Sequence, residues 1–350
     1  MAVGRCPGLA CIGPLAHPEK MQSAKCMTGS SQSNPVGARV CFIVPTLKRP
    51  DFLRRCLEAI ERQTVPPASI LVGIRPDDEA SHAVVMTLSQ RMRVLAVEAK
   101  GVGVIGSMAS CLGHATEEFV ALVDDDVELP AHWLETMMGH LTSYPNALAA
   151  AGRDLLQDHP EMRLSEKRVA DVGRVHWYGR ITGNHHRGNG KPRFVDVLRG
   201  SNCLFRGSFL REVGFDQGLR GQGAQVNWEL ALAFQAMQRR APFFYDPSVG
   251  VIHHTAPRCD ADTVHRGRFH AGSIADISFN ETFVTAKYAP GWRRAAILAY
   301  QILVGTPLAP GAAHIVKRIL SGDEQLAARV RATFTGRFQA LSEACRKTPA

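Results

Sequence analysis

Residues 119–126 read Phe119-Val120-Ala121-Leu122-Val123-Asp124-Asp125-Asp126, five apolar side chains running directly into three carboxylates. A short unbroken apolar run is the signature of a strand buried on both faces, as in a parallel sheet. Three adjacent acids cannot follow it into the core, because an unpaired buried charge is too costly. They therefore mark the carboxyl end of the strand, where ligands collect in open α/β sheets. Hard oxygen donors held close together suit Mg²⁺ or Mn²⁺, ions that often arrive with a substrate's phosphates. An acidic turn capping the next helix is the competing reading of the triplet.

Upstream, Val40 to Val44 is a second such run, stopped by Pro45, after which Pro50 and Asp51 open a helix with Asp51 as the expected N-cap. Leu53, Cys56, Leu57 and Ile60 recur on one helical face. Ile70–Ile74 and Val94–Val97 read as further strands, with helical patterns over Ala83–Met92 and through Ile105, Met108, Ala109 and Leu112. Strand and helix alternate at short spacing, which predicts an α/β class with a mostly parallel, Rossmann-like sheet flanked by helices.

Downstream, Pro130 starts a helix, Leu148–Ala151 reads as a short strand, and residues 153–193 are irregular, polar and rich in His and Arg. Phe243–Tyr245 and Val249–Ile252 read as two strands separated by Asp246-Pro247, and the second leads to His253-His254. From Ala271 the pattern is helical, interrupted at Pro290, Pro307 and Pro310. The expected organisation is a tail over 1–37, an α/β domain over 38–258 and a helical region over 259–350. Met21 and Met27 also stand as alternative translation starts within that tail.

The 350 residues carry a net charge of +9, which favours anionic partners. Paired CxxC motifs and basic runs interleaved with aromatics are both missing, which argues against nucleic acid. The nine cysteines are scattered and odd in number, as in a reducing, cytoplasmic setting. No run reaches the roughly 18 apolar residues of a membrane span.

Several motifs in one order carry a family resemblance over about residues 39–258. They are Pro45-Thr46-Leu47-Lys48-Arg49 after the first strand, Asp77-Asp78 after the second, and Asp124-Asp125-Asp126. Gly200-Ser201-Asn202-Cys203-Leu204-Phe205-Arg206, Val213-Gly214-Phe215-Asp216, Glu229 and His253 follow. Together they resemble the inverting family 2 glycosyltransferases of the GT-A fold with a DXD-type signature. That resemblance implies a metal-dependent enzyme moving a sugar from a nucleotide-sugar donor to a carbohydrate, lipid-linked or small-molecule acceptor. Cell-surface polysaccharide, glycolipid and secondary-metabolite glycosylation are the settings it suggests.

The resemblance also implies roles. Asp124 and Asp126, completed by His253 with His254 as the competing choice, would hold Mn²⁺ or Mg²⁺, with Asp124 and Asp125 also facing the donor. Thr46, Arg49, Arg75, Asp77, Ser107 and Asn202 would contact the nucleotide-sugar. Inversion needs a general base for the acceptor hydroxyl. Where many relatives carry an Asp, this chain has Asn227, whose amide cannot take up a proton. Glu229 is therefore the expected base, provided the helix starts near Trp228, and Asp216 is the reserve.

The loop over 176–193 is read as a lid rather than a zinc site, because its histidines lack metal-ligand spacing. The basic, apolar C-terminal region suits packing on the domain, a homodimer, or peripheral contact with the inner face of the membrane. Two other functions fit the pattern less well. A related nucleotidyltransferase lacks support because no glycine-rich, lysine-bearing loop follows the first strand. A non-catalytic nucleotide-sugar-binding homologue rests on Asn227 alone.

Overall fold

The computed structural model describes residues 39–156, 169, 171–254, 256–257 and 269–347. The N-terminal tail and alternative starts expected from the sequence lie outside these residues, as do parts of the expected lid and of the segment before Ala271.

The chain opens with β1 (Val40–Pro45), α1 (Pro50–Glu61), β2 (Ser69–Ile74), α2 (Glu79–Leu88), β3 (Val94–Glu98), α3 (Gly103–Leu112) and β4 (Phe119–Val123). β5 (Val127–Glu128), α4 (Trp133–Ser143), β6 (Ala149–Leu156), β7 (Arg174–Val175), β8 (Ile181–Thr182), β9 (Arg193–Val195) and β10 (Asn202–Arg206) follow. The chain continues through α5 (Gly207–Val213), α6 (Trp228–Gln238), β11 (Phe243–His253), α7 (Ala271–Tyr288), α8 (Gly291–Leu303), α9 (Ala312–Leu320) and α10 (Leu326–Lys347).

The main sheet runs β3-β2-β1-β4-β10-β6-β11-β5, with β9 also on β11. β1 pairs in parallel with β2 on one side and β4 on the other. The strand order therefore reverses between β1 and β4, which opens a crevice at their carboxyl ends. β10 enters antiparallel between β4 and β6. The sheet is thus mixed, though mostly parallel on the β1 side.

Period-two alternation sorts the strand residues into two cores. Val40, Phe42, Val44, Phe119, Ala121 and Val123 face α1, α2 and α4, where Leu53, Leu57, Trp133 and Met137 are buried. Cys41, Ile43, Val120 and Leu122 face Ile105, Met108 and the apolar side of α6. Gly73 in β2 is required by this packing, because a Cβ there would lie 2.1 Å from Ser107 Oγ.

Three local expectations change. Asp51 is not the cap of α1: Arg49 is the N-cap residue, Pro50 sits in the first turn, and Asp51 follows inside it. The strand foreseen as Leu148–Ala151 extends to Leu156, because the polar Gly152-Arg153-Asp154 continues to pair in parallel with β11. The two strands foreseen around Asp246-Pro247 are one, interrupted by a bulge between Asp246 and Gly250. Asp246 fills the bulge by accepting from the Ser248 backbone N–H at 2.9 Å and from its hydroxyl at 2.6 Å.

The described residues belong to one compact unit. The helices after residue 258 share its core: Phe279, Phe283 and Val284 of α7 are buried in the same cluster as Phe234 of α6. No helix is long and apolar enough to cross a membrane among the described residues.

Candidate active site

A cavity of about 650 Å³ opens where β1 and β4 diverge. Its walls come from Pro45 at the end of β1, Thr46, Leu47 and Arg49 after it, Arg75 after β2, and Gly101, Gly103, Val104 and Ser107 around the start of α3. Asp124 and Asp126, Arg199–Ser201, the loop 222–226 before α6, Glu229 and His253 complete it.

The three aspartates separate by strand alternation carried past the end of β4. Asp125 turns back toward α1 and is fully buried. It accepts from the Thr46 hydroxyl at 2.6 Å and pairs with Arg49 Nη2 at 2.5 Å. Burial raises its carboxyl to about 7, with Arg49 pulling the other way. Asp124 and Asp126 turn toward the cavity. Asp126 accepts from the Ala256 N–H at 3.1 Å and contacts His253 Nε2 at 3.2 Å and Arg49 Nη1 at 3.2 Å. Although burial opposes its charge, His253 and Arg49 hold the Asp126 carboxyl well below the usual range. Asp124 moves upward, through burial and the neighbouring Asp126.

Asp124, Asp126 and His253 each offer a ligating atom, and these atoms lie within 4.8 Å of one another. Two carboxylates and an imidazole, the last at the end of a strand and backed by a further acid, form a donor set that fits Mn²⁺ or Mg²⁺. Burial opposes protonation of the ring, but Asp126 and Asp154 outweigh it and push the metal-free His253 up to about 10.

Asp154 is the residue that sequence reasoning missed. It lies on β6, 1% exposed, beneath His253. It accepts from the Ser201 hydroxyl and the Asn202 amide, each at 2.7 Å, and pairs with Arg199 Nε at 3.0 Å. Its Oδ2 faces His253 Nδ1 at 3.9 Å, a charge contact beneath the ring that is too long for a hydrogen bond. Arg199, also missed, lines the cavity. The signal that could have found them was the strand itself: extending β6 by three residues places Asp154 at the ligand end of the sheet.

Glu229 reaches the cavity because α6 starts at Trp228, immediately after Asn227 in the left-handed region (φ 77°). Trp228 packs so closely on Gly200 that a Cβ there would lie 2.0 Å from its ring. That approach lets the Gly200 N–H donate to Glu229 Oε1 at 3.4 Å. Burial raises the Glu229 carboxyl, with the charge of Asp124 adding to the effect and the backbone hydrogen bonds opposing it. The loop before α6 is latched to α3: the Ile105 N–H donates to Gln225 Oε1 at 3.0 Å and the Val104 N–H to the Gly223 carbonyl at 2.9 Å.

Of the expected donor contacts, Thr46, Arg49, Arg75, Ser107 and Asp124 are in the cavity wall, while Asp77, Asp125 and Asn202 are not. Asp77 is exposed and pairs with Lys48 at 2.9 Å and Arg75 at 3.3 Å. Its neighbour Asp78 is buried instead, capping α2 through Ser81 and accepting from the Lys48 N–H at 2.5 Å. Asn202 pairs opposite Val123 inside the sheet and spends its amide on Asp154 and the Gly152 N–H.

Asp216, the reserve base, also lies outside the cavity wall. It accepts from Lys287 Nζ at 2.9 Å, the Tyr288 hydroxyl at 2.8 Å and the Gly218 N–H at 2.9 Å, tying α7 to the turn after α5. Asp216→Asn is therefore expected to lower stability by about 1–3 kcal/mol in thermal or denaturant unfolding while leaving turnover within a few-fold of the parent. Loss of turnover with unchanged stability would return Asp216 to the chemistry.

In the expected lid, β7 and β8 form a hairpin. His176 contacts Asp171 at 3.1 Å and Thr182 at 3.0 Å, and His185 contacts the Val197 carbonyl at 2.9 Å. These histidines are spent on local structure. Among the described residues they join no metal-binding group.

The model of glycosyl transferase family 2 matches residues 41–214. The fold is similar to that of the mannosyltransferase PcManGT from Pyrobaculum calidifontis, solved in complex with GDP-Man and Mn²⁺. There the TM-score is 0.53 at 18% identity, over 88% of this chain and 86% of that one. It is also similar to S. aureus TarS 1-349 in complex with UDP-GlcNAc, with a TM-score of 0.55 at 10% identity, over 89% and 82% of the two chains. No curated protein matches the chain by sequence.

Proposed function

The chain belongs to the family 2 glycosyltransferases, and from that premise we propose a metal-dependent, inverting transfer from a nucleoside diphosphate sugar to an acceptor hydroxyl. The observation that carries this reading is the convergence of Asp124, Asp126 and His253 with Glu229 on one cavity. A sugar donor bound to a nucleoside diphosphate, as in the complexes of the two structural relatives, suits its basic wall of Arg49, Arg75 and Arg199.

In this reading Glu229 takes the proton of the acceptor hydroxyl as its oxygen forms a bond to the anomeric carbon. The bond from that carbon to the diphosphate oxygen breaks on the opposite face, and its electron pair leaves with the nucleoside diphosphate, which inverts the centre. Asp124, Asp126 and His253 would hold a divalent ion, which would supply Lewis-acid stabilisation of the charge on the leaving diphosphate. Asp154 adds a second negative charge beside the His253 ring. Thr46 and Arg49 brace the acidic turn through Asp125, and Ser107 and the glycine-bearing start of α3 let the donor approach the backbone.

A panel of GDP-, UDP- and dTDP-sugars with Mn²⁺ or Mg²⁺ tests the proposal. Slow release of nucleoside diphosphate from one or a few donors is expected, abolished by EDTA and restored by added metal. Release that is indifferent to EDTA would remove the metal dependence, and a retained anomeric configuration in the product would remove inversion.

A further inference from the structure

The two helices α8 and α9 face the wrong way for a surface that meets only water. On α8 the inward side carries Ile297, buried in the main core, and buried Gln301, which accepts from the Thr282 hydroxyl at 3.2 Å and donates to Thr285 Oγ1 at 3.1 Å. The outward side carries Trp292, Ala295, Ala299, Ile302 and Leu303, with Trp292 62% and Leu303 61% exposed. In α9 the inversion is more complete, since no residue of the helix is buried. Two of its polar side chains turn inward, while Lys317 is exposed: His314 Nδ1 contacts the Val304 carbonyl at 2.8 Å, and Arg318 donates to the Pro307 carbonyl at 2.7 Å and pairs with Asp323. Its apolar side faces outward through Val316, Ile319 (61% exposed) and Leu320 (83%).

The two outward faces adjoin. Gly311, before α9, packs so closely on the end of α8 that a Cβ there would lie 2.6 Å from the Ile302 carbonyl. The β7–β8 turn borders α8 on its other flank, where a Cβ on Gly179 would lie 2.4 Å from the Ala296 carbonyl, and it holds the exposed Trp177. Contiguous exposed apolar surface marks an interaction site.

The charge around it selects the partner. The two helices and the turn between them, residues 291–320, carry Arg293, Arg294, Lys317 and Arg318 and no Asp or Glu. A second copy of the same face would bring like charges together, whereas an anionic lipid surface complements them. Aromatic rings at the border and apolar side chains between basic ones are the composition of a helix lying in the interface plane. We infer that α8 and α9 dock the enzyme on an anionic membrane surface, with Trp292, Leu303, Ile319 and Leu320 entering the headgroup–acyl boundary.

Flotation with vesicles tests this on the full chain. The parent is expected to float with equimolar phosphatidylglycerol and phosphatidylcholine, less with phosphatidylcholine alone, and less as salt is raised. Ile319→Ser combined with Leu320→Ser should weaken vesicle binding by about tenfold or more. The two positions are exposed, so the circular dichroism and unfolding midpoint should match the parent. A parent that stays unbound, or a double variant that floats as well as the parent, overturns the proposal. So does a parent that sediments as a dimer, binds no vesicles and is made monomeric by the double substitution, which would give the face to a second copy. The measurement involves no sugar transfer, so its outcome is separate from the reading of the active site.

Discussion

Asp126→Asn is expected to cost turnover on the order of 10³-fold, equivalent to about 4 kcal/mol of transition-state stabilisation, with loss of Mn²⁺ binding. The carboxylate has three partners at once: His253 Nε2 at 3.2 Å, Arg49 Nη1 at 3.2 Å and the Ala256 N–H at 3.1 Å. An amide of the same shape keeps a carbonyl for the Ala256 N–H but removes the charge beside His253 and the anionic metal donor. The backbone bond from the His254 N–H to the Asp126 carbonyl, at 2.8 Å, is untouched, and Arg49 retains Asp125 as its partner. The fold is therefore expected to survive. Titration of Mn²⁺ by calorimetry, together with nucleoside diphosphate release, checks the result. An Asp126→Asn variant that binds Mn²⁺ and turns over like the parent would remove the proposed centre.

Glu229→Gln should lower kcat by about 10²–10⁴ and leave donor binding within a few-fold. The side chain sits in the first turn of α6 at the cavity wall. An amide can still accept from the Gly200 N–H, so the local structure is kept while the proton acceptor is lost. The pH profile supplies an independent signature. Burial raises the Glu229 carboxyl above its ordinary value of 4.5. The base is active when ionised, so activity is expected to be full above the raised pKa and to fall as pH drops through it. That acid limb should vanish in the Gln variant. Near-normal turnover, or an unchanged acid limb in what turnover remains, would move the base elsewhere.

The two predictions draw on different kinds of information. Asp126 was legible in the sequence because an apolar run that ends in acids has one sensible place in an α/β sheet. The same run could not say which acids face the cavity. Strand alternation sends Asp125 toward α1, where it braces Thr46 and Arg49 rather than meeting a ligand. Asp77 and Asp78 show the same limit, since a helix cap and an exposed ion pair look alike as adjacent letters. Asp154 was missed because its strand is polar in the middle, where the partner β11 holds it in the sheet.

What the sequence determined by itself was the α/β alternation, the carboxyl-end acids and the position of α6. These follow from local patterns: apolar runs, helical faces and the charge that cannot enter a core. The tertiary structure alone decided which side each site residue faces, that Asp216 anchors α7 rather than the cavity, and that α8 and α9 leave Trp292, Leu303, Ile319 and Leu320 exposed. A helical pattern reports that a helix has an apolar face. Only the packing of the neighbours, here Gln301 against Thr282 and His314 against the Val304 carbonyl, reports whether that face is turned in or out.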